Sequence, residues 1–164
     1  MDIKELFLKQ KRAIRERTAP VLARIQPEHL TWRPEKNALS VAEMLRHLWV
    51  SEEGVRRVAL EGNFAYYETR IPQGLRAVLG TPGTLAQELE HLERVHGETL
   101  ARVESLPLDR FDEERSHEGL GYRRKVYAVL FGIVEHEIHH RAQFMTYLRL
   151  LGCPTPEPTF RPSR

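Results

Sequence analysis

Val134-Glu135-His136-Glu137-Ile138-His139-His140-Arg141-Ala142-Gln143 carries three of the eight histidines of this 164-residue chain. The stretch lies inside a long apolar pattern of helical period. Side chains four apart on a helix are neighbours, with Cβ atoms about 5–6 Å apart. His136 and His140 can therefore aim their imidazoles at one point on one face. A zinc ion at that point would sit about 2.0–2.1 Å from each ring nitrogen. Such a pair needs at least one more ligand, and the rest of the chain must supply it.

Outward from this stretch, the pattern predicts a helix from about Tyr122 or Lys125 to Leu151, with Gly152 suited to the position just past its end. Three more helices read upstream. Asp2 caps the first, whose stripe is Ile3, Leu6, Phe7 and Ile14. Pro20 lacks an N–H and clashes with the preceding turn, which predicts a kink or break just before it. Val21, Leu22 and Ile25 resume the stripe, and Gln26-Pro27 ends it. Trp32, Pro34 and Asn37 mark an extended linker. Ser40-Val41-Ala42-Glu43 fits a capping box opening the second helix. Val41, Met44, Leu45, Leu48, Val55 and Ala59 fall on one face, and Gly62-Asn63 closes it. Thr84 opens the third helix, with Glu88 in its early turns. Its apolar face runs from Leu85 and Leu89 to Val103, and Ser105-Leu106-Pro107 ends it.

Between the second and third helices, Phe64 to Gly83 make a long connection with room for a short turn at Leu75 to Leu79. Connections of this length are often functional. Asp109 to Gly121 is charged and turn-rich, either irregular or a small hairpin. No other strand pattern appears. The expected class is all-α, a four-helix bundle with a long connection between helices 2 and 3. One domain over residues 1–152 is expected, followed by a Pro-rich tail over 153–164.

The net charge of +2, with 41% apolar and 29% charged residues, fits an ordinary globular chain and gives no reason to expect a nucleic-acid partner. Lys9, Lys11, Arg12, Arg15 and Arg17 alternate with apolar or acidic residues and read as a solvated helix face. The single cysteine, Cys153, excludes an internal disulfide and fits a reducing compartment; just past the last helix, it reads as incidental. No apolar run approaches the ~20 residues of a membrane span, and the N-terminus has no secretory pattern. A cytoplasmic protein is expected.

Bundles build metal sites from side chains on facing helices. With about 100° per residue, His47 sits on the flank of the second helix's stripe, near Met44, Ser51 and Val55. On the last helix Val129, Ile133, His136, His140, Gln143 and Tyr147 share a face. Histidines among apolar positions are costly to bury without partners. They are either metal ligands or uncharged, hydrogen-bonded core residues. His139 is turned about 100° from His140, as a neighbouring or surface group. His29, His91, His96 and His117 lie in loops or on a polar face. Glu52 falls inside an apolar stripe, either near the site or at a bundle edge. His136-Glu137-Ile138-His139-His140 also satisfies the H-E-x-x-H pattern of zinc proteases. Such a protease needs a third ligand and a substrate-binding sheet edge, and no strand pattern precedes this helix.

Three pieces together resemble the DinB/YfiT-like superfamily of metal-binding four-helix bundles. They are Leu30-Thr31-Trp32-Arg33-Pro34 followed by Ser40 to Glu43, then His47, then His136 to Gln143, which is similar to the family's H-x-x-H-H-R-G-Q ending. Ala142 stands where the family usually has glycine. The resemblance implies three metal ligands, His47, His136 and His140, around a divalent ion, with zinc or nickel foremost. Three imidazoles with open positions form a catalytic type of arrangement. Relatives of this kind include thiol-dependent transferases and isomerases. The resemblance thus implies S-transfer between a small-molecule thiol and an electrophile in stress or detoxification chemistry. A hydrolase in which the metal activates water is the alternative, with Glu137 or Glu52 as candidate catalytic base. A non-enzymatic metal-binding or structural bundle stays open as well. A homodimer through helix faces is also implied.

Overall fold

Three capping boxes start the long helices of the computed structural model, which describes residues 1–156. The Asp2 carboxylate accepts the Glu5 N–H at 2.8 Å and Glu5 accepts the Asp2 N–H in return, opening α1 (Ile3–Leu22). Ser40 and Glu43 do the same for α2 (Val41–Glu61), which Gly62 ends in the left-handed conformation, φ 67°. Thr84 and Gln87 open α5 (Leu85–Glu104), so the reciprocal partner there is Gln87, and Glu88 is free for another use. The last helix, α6 (Val126–Leu150), follows a short hairpin.

The helix α1 does not break before Pro20. It runs to Leu22, one turn from its end, where the missing N–H costs a single bond on an exposed face. The long connection holds α3 (Ala65–Gln73) and α4 (Leu75–Leu79). The turn at Leu75 to Leu79 was legible from the sequence; α3, which carries Pro72, was not. Within Asp109 to Gly121 and just beyond, the hairpin alternative holds: β1 (Glu114–His117) pairs antiparallel with β2 (Tyr122–Lys125), with Glu114 opposite Lys125 and His117 opposite Tyr122. Gly121, φ 58°, makes the turn back. Residues 153–156 have no regular structure, and the rest of the expected tail lies outside the described residues.

Around the bundle, α1 packs on α6, α6 on α2, α2 on α5 and α5 on α1, leaving α1 opposite α2 and α5 opposite α6. Directions follow from the core. One apolar cluster joins Phe7 and Leu8 of α1 to Val58 and Ala59 of α2, Val103 of α5 and Val126 to Val134 of α6. The second joins Val21 and Leu22 to Val41 to Leu48, Leu92, Phe144 and Leu148. Chain order through these clusters makes α1 and α6 parallel neighbours, and α2 and α5 parallel neighbours running the other way. The Phe64 to Gly83 connection is long because it must carry the chain back along the whole bundle from the end of α2 to the start of α5.

A polar layer separates the clusters, with one or more residues from each long helix: Lys11 and Arg15, Glu52, His96, and Glu137, all buried. Lys11 and Arg15 therefore do not belong to a solvated face, as their charges suggest from sequence. Their spacing from Phe7, Ile14 and Val21 turns them inward.

Candidate metal centre

Capping fixes where α2 starts, and His47 follows in its second turn, buried beside Met44 and Leu48. Helix α6 packs directly on α2, bringing His136 and His140 to the same place. The Nε2 atoms of His47 and His136 lie 3.0 Å apart, as do those of His136 and His140. Two nitrogens about 2.1 Å from one ion, at angles of 90–110°, would stand about 3.0–3.4 Å apart. The three sequence-derived candidates thus converge as a group able to hold a metal ion.

The outward nitrogens decide whether the donor set fits. The Nδ1 of His140 lies 2.6 Å from the Gln143 side-chain oxygen, which can only accept, so Nδ1 carries the proton and Nε2 keeps its lone pair. Ser51 Oγ lies 2.8 Å from His47 Nδ1 and 2.8 Å from the Tyr66 hydroxyl. Ligand histidines commonly hold their second nitrogen in this way, which fixes ring and tautomer. The closeness of Tyr66 depends on Gly54, where an added Cβ would come within 2.5 Å of the tyrosine ring.

Electrostatics keep all three rings neutral. Burial pushes His136 down to about 2, with the charges of His140 and His47 acting in the same sense. His47 falls to about 3, through burial and then His140, and His140 to about 4, through burial opposed by its bond to Gln143. Neutral imidazole is the form that binds metals. His139 is exposed and stacks edge-on with His140, centroids 4.9 Å apart.

The two candidate bases are engaged elsewhere. Lys11 Nζ donates to Glu52 Oε2 at 2.8 Å and to Glu137 Oε2 at 2.7 Å. Arg15 Nη2 donates to Glu137 Oε2 at 3.3 Å, and its Nε sits 3.0 Å from Glu137 Oε1, off the line of a hydrogen bond. Burial pushes the Glu137 carboxyl up, but the Lys11 and Arg15 charges outweigh it and hold the group below its ordinary range. His96 completes this layer and is buried, in contrast to the polar face expected for it. Burial first, then Lys11 and Arg15, push it down to about 4. Glu52, His96 and Glu137 could themselves group round an ion, but the Lys11 ammonium already bridges the two carboxylates.

A cavity of about 460 Å³ opens beside the histidines, bounded by α2, α3, the hairpin and α6. His136, Ser51, Glu52, Tyr66, Tyr67 and Tyr122 are among the residues that line it. The Phe64 to Gly83 connection and the Asp109 to Gly121 segment thus both contribute to it.

A family model described as the DinB superfamily matches residues 10–144. The chain belongs to the DinB superfamily. Among curated superfamily relatives, the uncharacterized protein YjoA of Bacillus subtilis is 26% identical over 138 residues, 82% of each chain. The crystal structure of the same DinB-like YjoA superposes with a TM-score of 0.67 at 23% identity, over 94% of both chains. A DinB-like protein of Bacillus cereus gives 0.74 at 17% identity, over 94% of this chain and 97% of the other. YfiT of Bacillus subtilis gives 0.70 at 16% identity, over 92% and 89% respectively. It is described as a probable metal-dependent hydrolase with an unusual four-helix bundle topology. These likenesses show the DinB-like bundle fold.

Sequence reasoning missed Glu88, the anchor of the crossover in this DinB-like bundle. It is fully buried and accepts from Arg46 at 2.8 Å, the Trp49 indole at 2.8 Å and the Gly83 N–H at 2.6 Å. The presence of Gln87 as a better capping partner was the available signal. Among the described residues, no helix is long and apolar enough to cross a membrane.

Proposed function

We propose that this protein is a divalent-metal-dependent enzyme that transfers a small-molecule thiol to an electrophile, with His47, His136 and His140 as ligands of zinc or nickel. The observation that carries this reading is the meeting of three neutral imidazoles beside a cavity whose nearby carboxylates are already paired with cations. A bound divalent ion would supply Lewis-acid chemistry, lowering the pKa of a thiol or water held next to it. The chain's own residues do the rest. Gln143 keeps the His140 proton on Nδ1. With His47 Nδ1 donating to Ser51, the serine hydroxyl donates to Tyr66, and the Tyr66 hydroxyl proton is left to donate elsewhere, towards the cavity its residue borders.

A thiol beside a metal ion ionises without a separate base. Hydrolysis gains from a base within hydrogen-bond reach; Glu137 is held by both Lys11 and Arg15, and Glu52 accepts from Lys11 through Oε2. That contrast favours thiol transfer. Hydrolysis is the second reading, supported by the description of YfiT as a probable metal-dependent hydrolase. The test is thiol conjugation to an electrophile by wild type and His140→Ala, each with and without added metal. A metal-dependent rate lost in the variant supports transfer, and equal rates in all four samples refute it. A cytoplasmic homodimer completes the proposal, and light scattering on the purified chain checks its mass.

A further inference from the structure

The cavity beside His136 carries two guanidinium groups with no acidic partner among the described residues. Arg123 lines it too, but its Nε pairs with Glu114 at 2.7 Å. Arg70 and Arg124 also line the cavity and form no ion pair among the described residues. Arg70 is half-buried, its guanidinium 5.8 Å from the centre of the Tyr66 ring. Arg70 follows Tyr66 and Tyr67 on α3, Arg124 follows Tyr122 on β2, and all five line this cavity.

A half-buried Arg70 and an exposed Arg124 on one concave, partly apolar site leave two guanidinium forks available to an anion. A guanidinium fork matches a carboxylate in a way a solvated lysine does not. We propose that this cavity binds a small organic carboxylate, its anionic end held by Arg70 and Arg124 and its apolar or aromatic body lying against Tyr66, Tyr67 and Tyr122. Glu52 borders the same cavity, so a monoanion suits it better than a phosphate dianion. The inference gives a substrate class to the site proposed above and rests on that reading only for which substrate reacts. The anion-binding wall stands on its own residues.

The experiment is calorimetric titration of the full chain, zinc-loaded and metal-free, with two matched pairs of probes. One pair carries a thiol, 4-mercaptobenzoate and 4-mercaptobenzamide. The other does not, 4-hydroxybenzoate and 4-hydroxybenzamide. The expected result is at least tenfold tighter binding of each acid over its amide, weakened by salt and abolished in Arg70→Gln/Arg124→Gln. Arg123→Gln, whose charge is already paired, should keep the preference. Equal affinity for acid and amide overturns the proposal. So does a preference that survives the double variant, which would put the carboxylate on the metal. An arginine-dependent preference for 4-hydroxybenzoate in a protein with no thiol-conjugating activity keeps the carboxylate site and removes only the transfer reading.

Discussion

Ser51 and Gln143 each hold the far side of one of the site histidines. Removing such partners typically weakens metal affinity 10- to 100-fold. Ser51→Ala and Gln143→Leu should each release zinc to a competing chelator at correspondingly lower chelator concentration, with the helical circular dichroism unchanged. Unaltered affinity in both would show that the rings need no outer support. That His47, His136 and His140 come together was legible in the sequence, because the spacing of His136 and His140 and the flank position of His47 depend only on helical geometry. Gln143 could be placed on the right face. Its role was not assigned, because helical spacing brings the two side chains together but does not say that the Gln143 oxygen turns to Nδ1, 2.6 Å away.

At the level of elements, the cap at Asp2, the capping box at Ser40 and the four amphipathic stripes were readable because caps and periods are local. Ser40→Ala should lower stability by about 1 kcal/mol, read as a drop in the urea midpoint with no change in slope. The crossover was less legible. Its length was plain, but its anchor, Glu88, is a buried acid whose partners Arg46 and Trp49 lie some 40 positions earlier on α2. Glu88→Ala leaves Arg46 without its carboxylate and should cost about 3 kcal/mol, well above the cost of the cap. A loss no greater than that of Ser40→Ala would mean that the crossover is held by its apolar contacts alone. The hairpin escaped firm assignment because its strands have only four residues each and face solvent on most positions.

Across the whole molecule, the central charged layer governs how stability responds to pH. Lys11 and Arg15 balance Glu52 and Glu137, so truncating one member strands a buried charge. Lys11→Met should cost about 3–5 kcal/mol. His96 has a folded pKa of about 4, below its ordinary 6.5, so its contribution is complete above pH 6.5 and is lost as pH falls towards 4. The site histidines act in the same direction in the metal-free protein. Glu137, also lowered, adds a further loss as pH falls below its ordinary 4.5. Urea midpoints of metal-free protein should therefore be level above pH 7 and fall steadily on acidification, less steeply in His96→Gln. Midpoints independent of pH between 7 and 4.5 would show these groups to be solvated. This layer was hidden in the sequence because a lysine and an arginine on a helix normally mark its wet side. Only the residues facing them across the bundle make their burial tolerable. The account turns on the three histidines being ligands, and elemental analysis of untagged protein tests that most directly. Close to one divalent ion per chain in the wild type, and little in His47→Ala/His136→Ala, is the expected result. No metal in the wild type after reconstitution with zinc and with nickel would contradict it, leaving the three rings as hydrogen-bonded core residues.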